Sequence, residues 1–137
     1  MSSDQTEVTQ RLEKFQTVTR ANKLPLTPQK IAIFKVMANS CSHPDIQETY
    51  QLVKADFPNI SLATVYNNIK KFQTLGLLIE IPVPGKPSRY DAKLEKHSHA
   101  VETASGCVYD FQTDQTLLSP GEILGKPVKR VDIIYYI

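Results

Sequence analysis

Apolar residues recur every three or four positions through the first half of the chain, and the period then changes. From Thr6 to Ala21, Val8, Leu12, Phe15 and Val18 fall at mixed spacings of three and four, as in an amphipathic helix. A second helix opens at Thr27, a candidate N-cap, with Pro28 in the first turn, where its missing N–H is tolerated. Ile31, Phe34, Met37 and Ala38 make its apolar stripe. Asp45-Ile46-Gln47-Glu48 reads as an aspartate form of the capping box and predicts a third helix through Ile46, Tyr50 and Val53 to about Phe57, where Pro58 stops it. Ser61 caps a fourth, with Leu62, Val65, Ile69, Phe72 and Leu75 as the buried stripe and Gly76 where a left-handed residue closes the helix.

After Gly76 the pattern becomes that of strands. Leu77 to Ile81 is apolar and rich in β-branched residues, 82–87 is a proline-rich turn, and Ser88-Arg89-Tyr90-Asp91 can return as its partner. Helices followed by such a hairpin predict a winged helix. Further strands are expected over His99 to Glu102, Cys107 to Phe111 and Val128 to Tyr136, with a short helix around Leu117 to Leu124, begun or interrupted near Pro120. The expected fold is α+β: a winged-helix DNA-binding domain over 1–91, a hinge at Ala92 to Lys96, and a small α/β domain completing 92–137.

Composition narrows the class. The chain has 137 residues, 41% hydrophobic and 22% charged, which is enough for one medium domain or two small ones. No apolar run approaches a membrane span and the polar start Met1-Ser2-Ser3-Asp4-Gln5 does not read as a signal peptide, so the expected address is cytoplasmic, with no membrane partner. Cys41 and Cys107 are isolated, which writes neither a redox pair nor a zinc ribbon; both are expected to be small core residues. The net charge is +2, and the positive excess falls before residue 85, a weak pointer to where an anionic partner would dock.

Outside the buried stripe of the fourth helix stand Thr64, Tyr66, Asn67, Asn68, Lys70, Lys71 and Gln73. An asparagine can bond an adenine edge bidentately, a tyrosine can stack or donate to phosphate, and lysines neutralise the backbone. A solvated polar face would carry the same residues. The helix's place just before a hairpin, with Lys86 and Arg89 near the wing tip, favours DNA. The three histidines, His43, His97 and His99, add a second chemistry. In an extended segment His97-x-His99 puts both rings on one side, a chelating geometry that chance also produces. His43 alone reads as a surface residue, and Asp91 and Asp110 as turn or strand-end residues.

Taken together, Leu26-Thr27-Pro28-Gln29-Lys30, His43, Ser61-Leu62-Ala63-Thr64-Val65-Tyr66-Asn67-Asn68, Arg89-Tyr90-Asp91 and His97-Ser98-His99 resemble the ferric-uptake-regulator (Fur) superfamily over roughly residues 20 to 112. Thr-Val-Tyr-Asn-Asn and the aspartate at 91 are similar to its peroxide-responsive (PerR) branch. The resemblance implies a metal-dependent homodimeric repressor, not an enzyme, acting on a double-stranded DNA operator. It also implies that His43, Asp91, His97, His99 and Asp110 hold one regulatory divalent ion per protomer, Fe(II) or Mn(II), with Zn(II) able to enter in vitro. In that branch Fe(II) and peroxide lead to oxidation of a ligand histidine, for which His43 and His97 are the candidates, and DNA is released; the Mn(II) form does not respond.

The chain also departs from the family. Relatives hold a structural zinc in two CxxC pairs; Glu102 and Ser105 occupy the first pair's positions and no second pair is present, so no structural zinc held by four cysteines is expected. The run Val128, Val131 and 133–137 is then expected to be buried against a second subunit. Pro25 and Lys30 stand where relatives carry arginines, which leaves the operator open. Three other readings are kept: an iron or manganese uptake regulator without peroxide sensing, a winged-helix protein that has lost its metal response, and a metal-dependent hydrolase or dioxygenase. The last lacks a distinct general base and a substrate loop.

Overall fold

The caps written in the sequence set the ends of the helices. In the computed structural model, which describes residues 3–39, 43–92, 98–112 and 119–137, the chain divides into two compact units, Met1–Glu95 and Lys96–Ile137. Cys41, His97, most of the expected hinge and the start of the expected fifth helix lie outside the described residues.

In the first unit α1 (Ser3–Ala21) begins a turn earlier than its apolar spacing predicts and ends where Lys23, at φ 54°, takes the left-handed role. The Leu24 N–H then reaches back to the Thr19 carbonyl at 2.9 Å. Helix α2 (Pro28–Asn39) starts at Thr27, whose Oγ1 accepts the Lys30 N–H at 3.2 Å. Its far end is closed from α1 by Arg11, whose Nη1 donates to the Ala38 carbonyl at 2.7 Å. Helix α3 (Ile46–Lys54) carries the complete capping box of Asp45 and Glu48. Helix α4 (Leu62–Thr74) opens at Ser61 and closes at Gly76, at φ 75°, with the Leu77 N–H on the Phe72 carbonyl at 2.9 Å.

The helices converge on three aromatic rings. Phe15 and Phe34 stack with centroids 4.3 Å apart, and Phe72 meets both edge-on at 5.2 and 5.8 Å. Such contacts contribute about 0.5–1.5 kcal/mol per pair beyond area burial. Ile33, Met37, Val53, Val65, Ile69, Leu77 and Leu78 fill the space around them. The expected stripe of α4 is corrected at its first residue: Leu62 is 43% exposed, because the first turn extends beyond the core that Val65, Ile69 and Phe72 enter.

Strands β1 (Ile79–Val83) and β2 (Lys86–Asp91) form the antiparallel wing, with Glu80 opposite Tyr90 and Ile81 opposite Arg89. The turn is tighter than the proline-rich run suggested. Only Pro84 and Gly85 form its tip, proline presetting φ and Gly85 supplying φ 70°. A register shift at Pro82 accommodates the proline that cannot donate to the ladder.

The second unit has a three-stranded sheet in which β3 (Ser98–Val101) lies between antiparallel β4 (Val108–Phe111) and parallel β7 (Ile134–Tyr136). Three expectations change here. Residues 119–124 are not helical: β5 (Glu122–Ile123) and β6 (Lys126–Pro127) form a small hairpin through Leu124 and Gly125, both left-handed at φ 52° and 74°. The long C-terminal strand is only three residues, since Arg130 and Asp132 pair locally at 2.7 Å before it begins. Cys107 is exposed in the turn before β4, not in a core.

Replacing Phe72 by alanine is expected to cost about 3–5 kcal/mol in denaturant titrations, because it empties the junction of both other rings. Leu124→Asn is expected to raise the melting temperature by relieving a strain of about 1 kcal/mol, since Leu124 is 94% exposed and gives up no packing.

Candidate metal centre and nucleic-acid face

The last three residues of β2 grip the segment that enters α3. Arg89 Nη1 donates to the His43 carbonyl at 3.2 Å and to Glu48 Oε2 at 3.4 Å, joining the α3 capping box. The Tyr90 N–H donates to the Pro44 carbonyl at 3.2 Å. Asp91 Oδ2 stands 3.5 Å from His43 Nε2, with both side chains buried. His43 is left-handed at φ 52°, a conformation that non-glycine residues keep where neighbours over-determine it. Far from lying on the surface, His43 is an internal residue 3% exposed.

In the second unit the β3–β4 register sets His99 directly opposite Asp110, so their side chains share one face. His99 Nε2 lies 3.3 Å from Asp110 Oδ1; the imidazole is buried and the carboxylate half-buried. His97 lies outside the described residues.

Both pairs are longer than the roughly 2.7–2.9 Å of a charge-assisted N–H···O bond. Two donors, each about 2.0–2.2 Å from one ion and about 90–110° apart, are separated by roughly 3.0–3.5 Å. The separations of 3.5 and 3.3 Å therefore each suit a pair of neighbouring ligands to a divalent cation. Nitrogen and oxygen donors without thiolate suit iron, manganese or zinc.

On α4, Tyr66, Asn67 and Lys71 stand out from the core, as does Lys86 at the wing turn. Thr64 is half-buried and belongs to the cap, its Oγ1 lying 2.8 Å from Ser61 Oγ. Asn68 donates to the Thr64 carbonyl of its own helix at 2.8 Å. Two placements differ from expectation. Arg89 turns inward to His43 and Glu48 because β2 pairing carries it away from the tip. Lys70 turns to the wing base, where its Nζ donates to Tyr90 Oη at 3.0 Å and Glu80 Oε1 at 3.3 Å. Gln73 Nε2 holds Glu80 Oε2 at 3.2 Å, and the Tyr90 hydroxyl donates to Glu80 Oε1 at 3.3 Å. The parts played by Glu80, Tyr90 and Gln73 escape the sequence, since nothing local links a helix to strands that follow it.

Residues 21–133 match the ferric uptake regulator family. The chain belongs to that family. Its relatives include the peroxide-responsive repressor PerR of Staphylococcus saprophyticus, 37% identical over 84% of this chain and 78% of that protein. The Campylobacter jejuni peroxide stress regulator is 27% identical, covering 92% of this chain and 93% of its own, with a TM-score of 0.66. The Helicobacter pylori ferric uptake regulator, at 16% identity, shares the fold with a TM-score of 0.71 over 95% of this chain and 91% of its own. The chain is thus a metal-responsive transcription regulator of the Fur family and not an enzyme. Fur-family regulators are dimeric DNA-binding proteins that take metals such as iron, manganese or zinc. Among the described residues, no helix is long and apolar enough to cross a membrane.

The wing-base network carries a pH signature. Partial burial alone would raise the Glu80 pKa, but hydrogen bonds from Gln73 and Ser88 and the Lys70 charge outweigh it and hold Glu80 below the usual 4.5. Lys70 is raised above 10.5, chiefly by the Tyr90 hydroxyl, against its own burial. A depressed carboxylate stabilises the fold fully above its unfolded pKa and loses that effect as pH falls through the folded value. Wild type is therefore expected to exceed Glu80→Gln in thermal stability at neutral pH by about 0.5 kcal/mol, as suits a partly exposed pair, and to lose the advantage as acid protonates Glu80 below the usual carboxylate range.

Proposed function

We propose that this chain is a homodimeric, metal-dependent repressor whose residues 1–91 bind operator DNA, whose residues 92–137 dimerise and sense, and whose bound Fe(II) makes it responsive to peroxide. One regulatory ion per protomer is assigned to His43, Asp91, His97, His99 and Asp110. The observation that carries the reading is the pair of His–Asp separations, each suited to two ligands of one ion and each built by a separate unit. Relatives named as peroxide-responsive repressors support the choice of signal.

His43 and Asp91 are held through β2, so an ion that also takes ligands from residues 92–137 favours one arrangement of the two units. A differential affinity of a few kcal/mol suffices to make that arrangement dominant. Tyr66, Asn67, Asn68 and Lys71 on α4, with Thr64 at its start and Lys86 on the wing, are assigned to DNA; Fe(II) would supply the reductant through which peroxide oxidises a ligand imidazole, with His43 and His97 the candidates.

DNA affinity should be measured for the apo, Mn(II) and Fe(II) forms, the last before and after peroxide, on a duplex selected from a random library by the Mn(II) form. Both metal forms should bind at least about tenfold tighter than apo. Peroxide should abolish only the Fe(II) gain and add oxygen to a peptide carrying His43 or His97. Retention of DNA by the oxidised Fe(II) form would assign the chain to metal sensing without peroxide chemistry; equal binding by apo and metal forms would remove metal control. Asp91→Ala should weaken Mn(II) binding by at least about tenfold, since changes even one shell farther out commonly do so.

A further inference from the structure

Lys70 stands on the polar face of α4, yet its ammonium is spent on partners within its own unit. Besides its bonds to Tyr90 and Glu80, it lies 5.6 Å from the Tyr66 ring centroid and 5.5 Å from that of Tyr90, within cation–π range. Glu80 and Tyr90 are opposite each other in the wing, so one helix side chain spans both strands. Gln73, one turn on, takes the other Glu80 oxygen. Lys70, Glu80 and Tyr90 border a groove between α3, α4 and the wing, lined also by Ile46, Leu62, Tyr66 and Pro87. Moving Lys70 to a phosphate would break its two hydrogen bonds and leave the Glu80 carboxylate without its countercharge where a polyanion approaches.

We propose that Lys70 is a positioning residue that, with Glu80 and Tyr90, fixes the angle between α4 and the wing, and that it contributes none of the charge that binds phosphate. This assignment rests on the DNA-binding reading above. Phosphate contact then falls to Lys71 and Lys86, neither of which is buried. The wing and α4 must address adjacent grooves together, so their mutual angle governs which duplexes fit, whereas a phosphate contact strengthens binding to any sequence. Lys70 acts on selectivity, Lys71 on general affinity.

Salt dependence separates the two roles. Each phosphate neutralised adds about 0.9 to the slope of log affinity against log salt. Wild type, Lys70→Met, Lys71→Met and Tyr90→Phe would be compared at saturating Mn(II), on the selected duplex and on a scrambled one, with thermal melting as the check on folding. Lys71→Met should lower the slope by about 0.9 and leave the preference for the selected duplex intact. Lys70→Met should keep the wild-type slope and lose roughly tenfold in that preference, the cost of about one ill-fitting base pair. Tyr90→Phe, which removes only a hydroxyl and no charge, should do the same. A slope reduced by Lys70→Met as by Lys71→Met, or a preference unchanged in Tyr90→Phe, would overturn the assignment. Failure of folded, Mn(II)-loaded wild type to bind either duplex would overturn the DNA reading and this one with it.

Discussion

The grip of β2 on the chain between α2 and α3 is the constraint on which the first unit depends. A carboxylate and an imidazole are both costly to bury, and Asp91 and His43 stay inside because each is held by more than the other. Arg89 fixes the backbone beneath the imidazole, and Tyr90 fixes the next peptide while its hydroxyl faces α4. Three successive residues thus serve support of the candidate ligands, wing register and helix placement. Strand alternation makes this possible, since Tyr90 projects to the face opposite Arg89 and Asp91.

This design also sorts the positive charges. A residue type tells what a side chain can do, and its partners decide what it does. Lys70 and Arg89 belong to the inventory of a DNA-binding face by type, yet both are committed to carboxylates of their own unit. Lys71 and Lys86, less than one helical turn and a few strand residues away, are left to solvent. A modest net charge of +2 is therefore no measure of the field at the surface: what counts is which cations the fold has already neutralised.

The legible parts of the sequence were those with local causes. Thr27, Asp45, Ser61 and Gly76 end helices through bonds to residues three to five positions away, and all four do so here. The wing was legible from its change of period. Less legible were features decided by distant partners. Ile33 joins the core because α2 is covered on more of its surface than one stripe implies, whereas Leu62 borders an open groove instead of the core. A short helix is expected around Leu117 to Leu124, but the Leu124-Gly125 turn makes a hairpin of Glu122 to Pro127. For the candidate ligands, the sequence placed His99 and Asp110 on two successive expected strands; only the register set them face to face. His43 and Asp91 had no local link at all, and family resemblance alone singled them out.

The two His–Asp pairs close loops of very different length, and this gives them different histories in a folding chain. His99 meets Asp110 across a single hairpin, a contact of low sequence separation that assembles quickly. His43 meets Asp91 only after α3, α4 and both wing strands have been threaded between them, a contact of high order that forms late. A full-length chain refolding from the denatured state is therefore expected to close the first pair before the second. If both pairs hold one ion, such a molecule would offer it an incomplete ligand set and compete poorly for metal against copies whose first unit is complete.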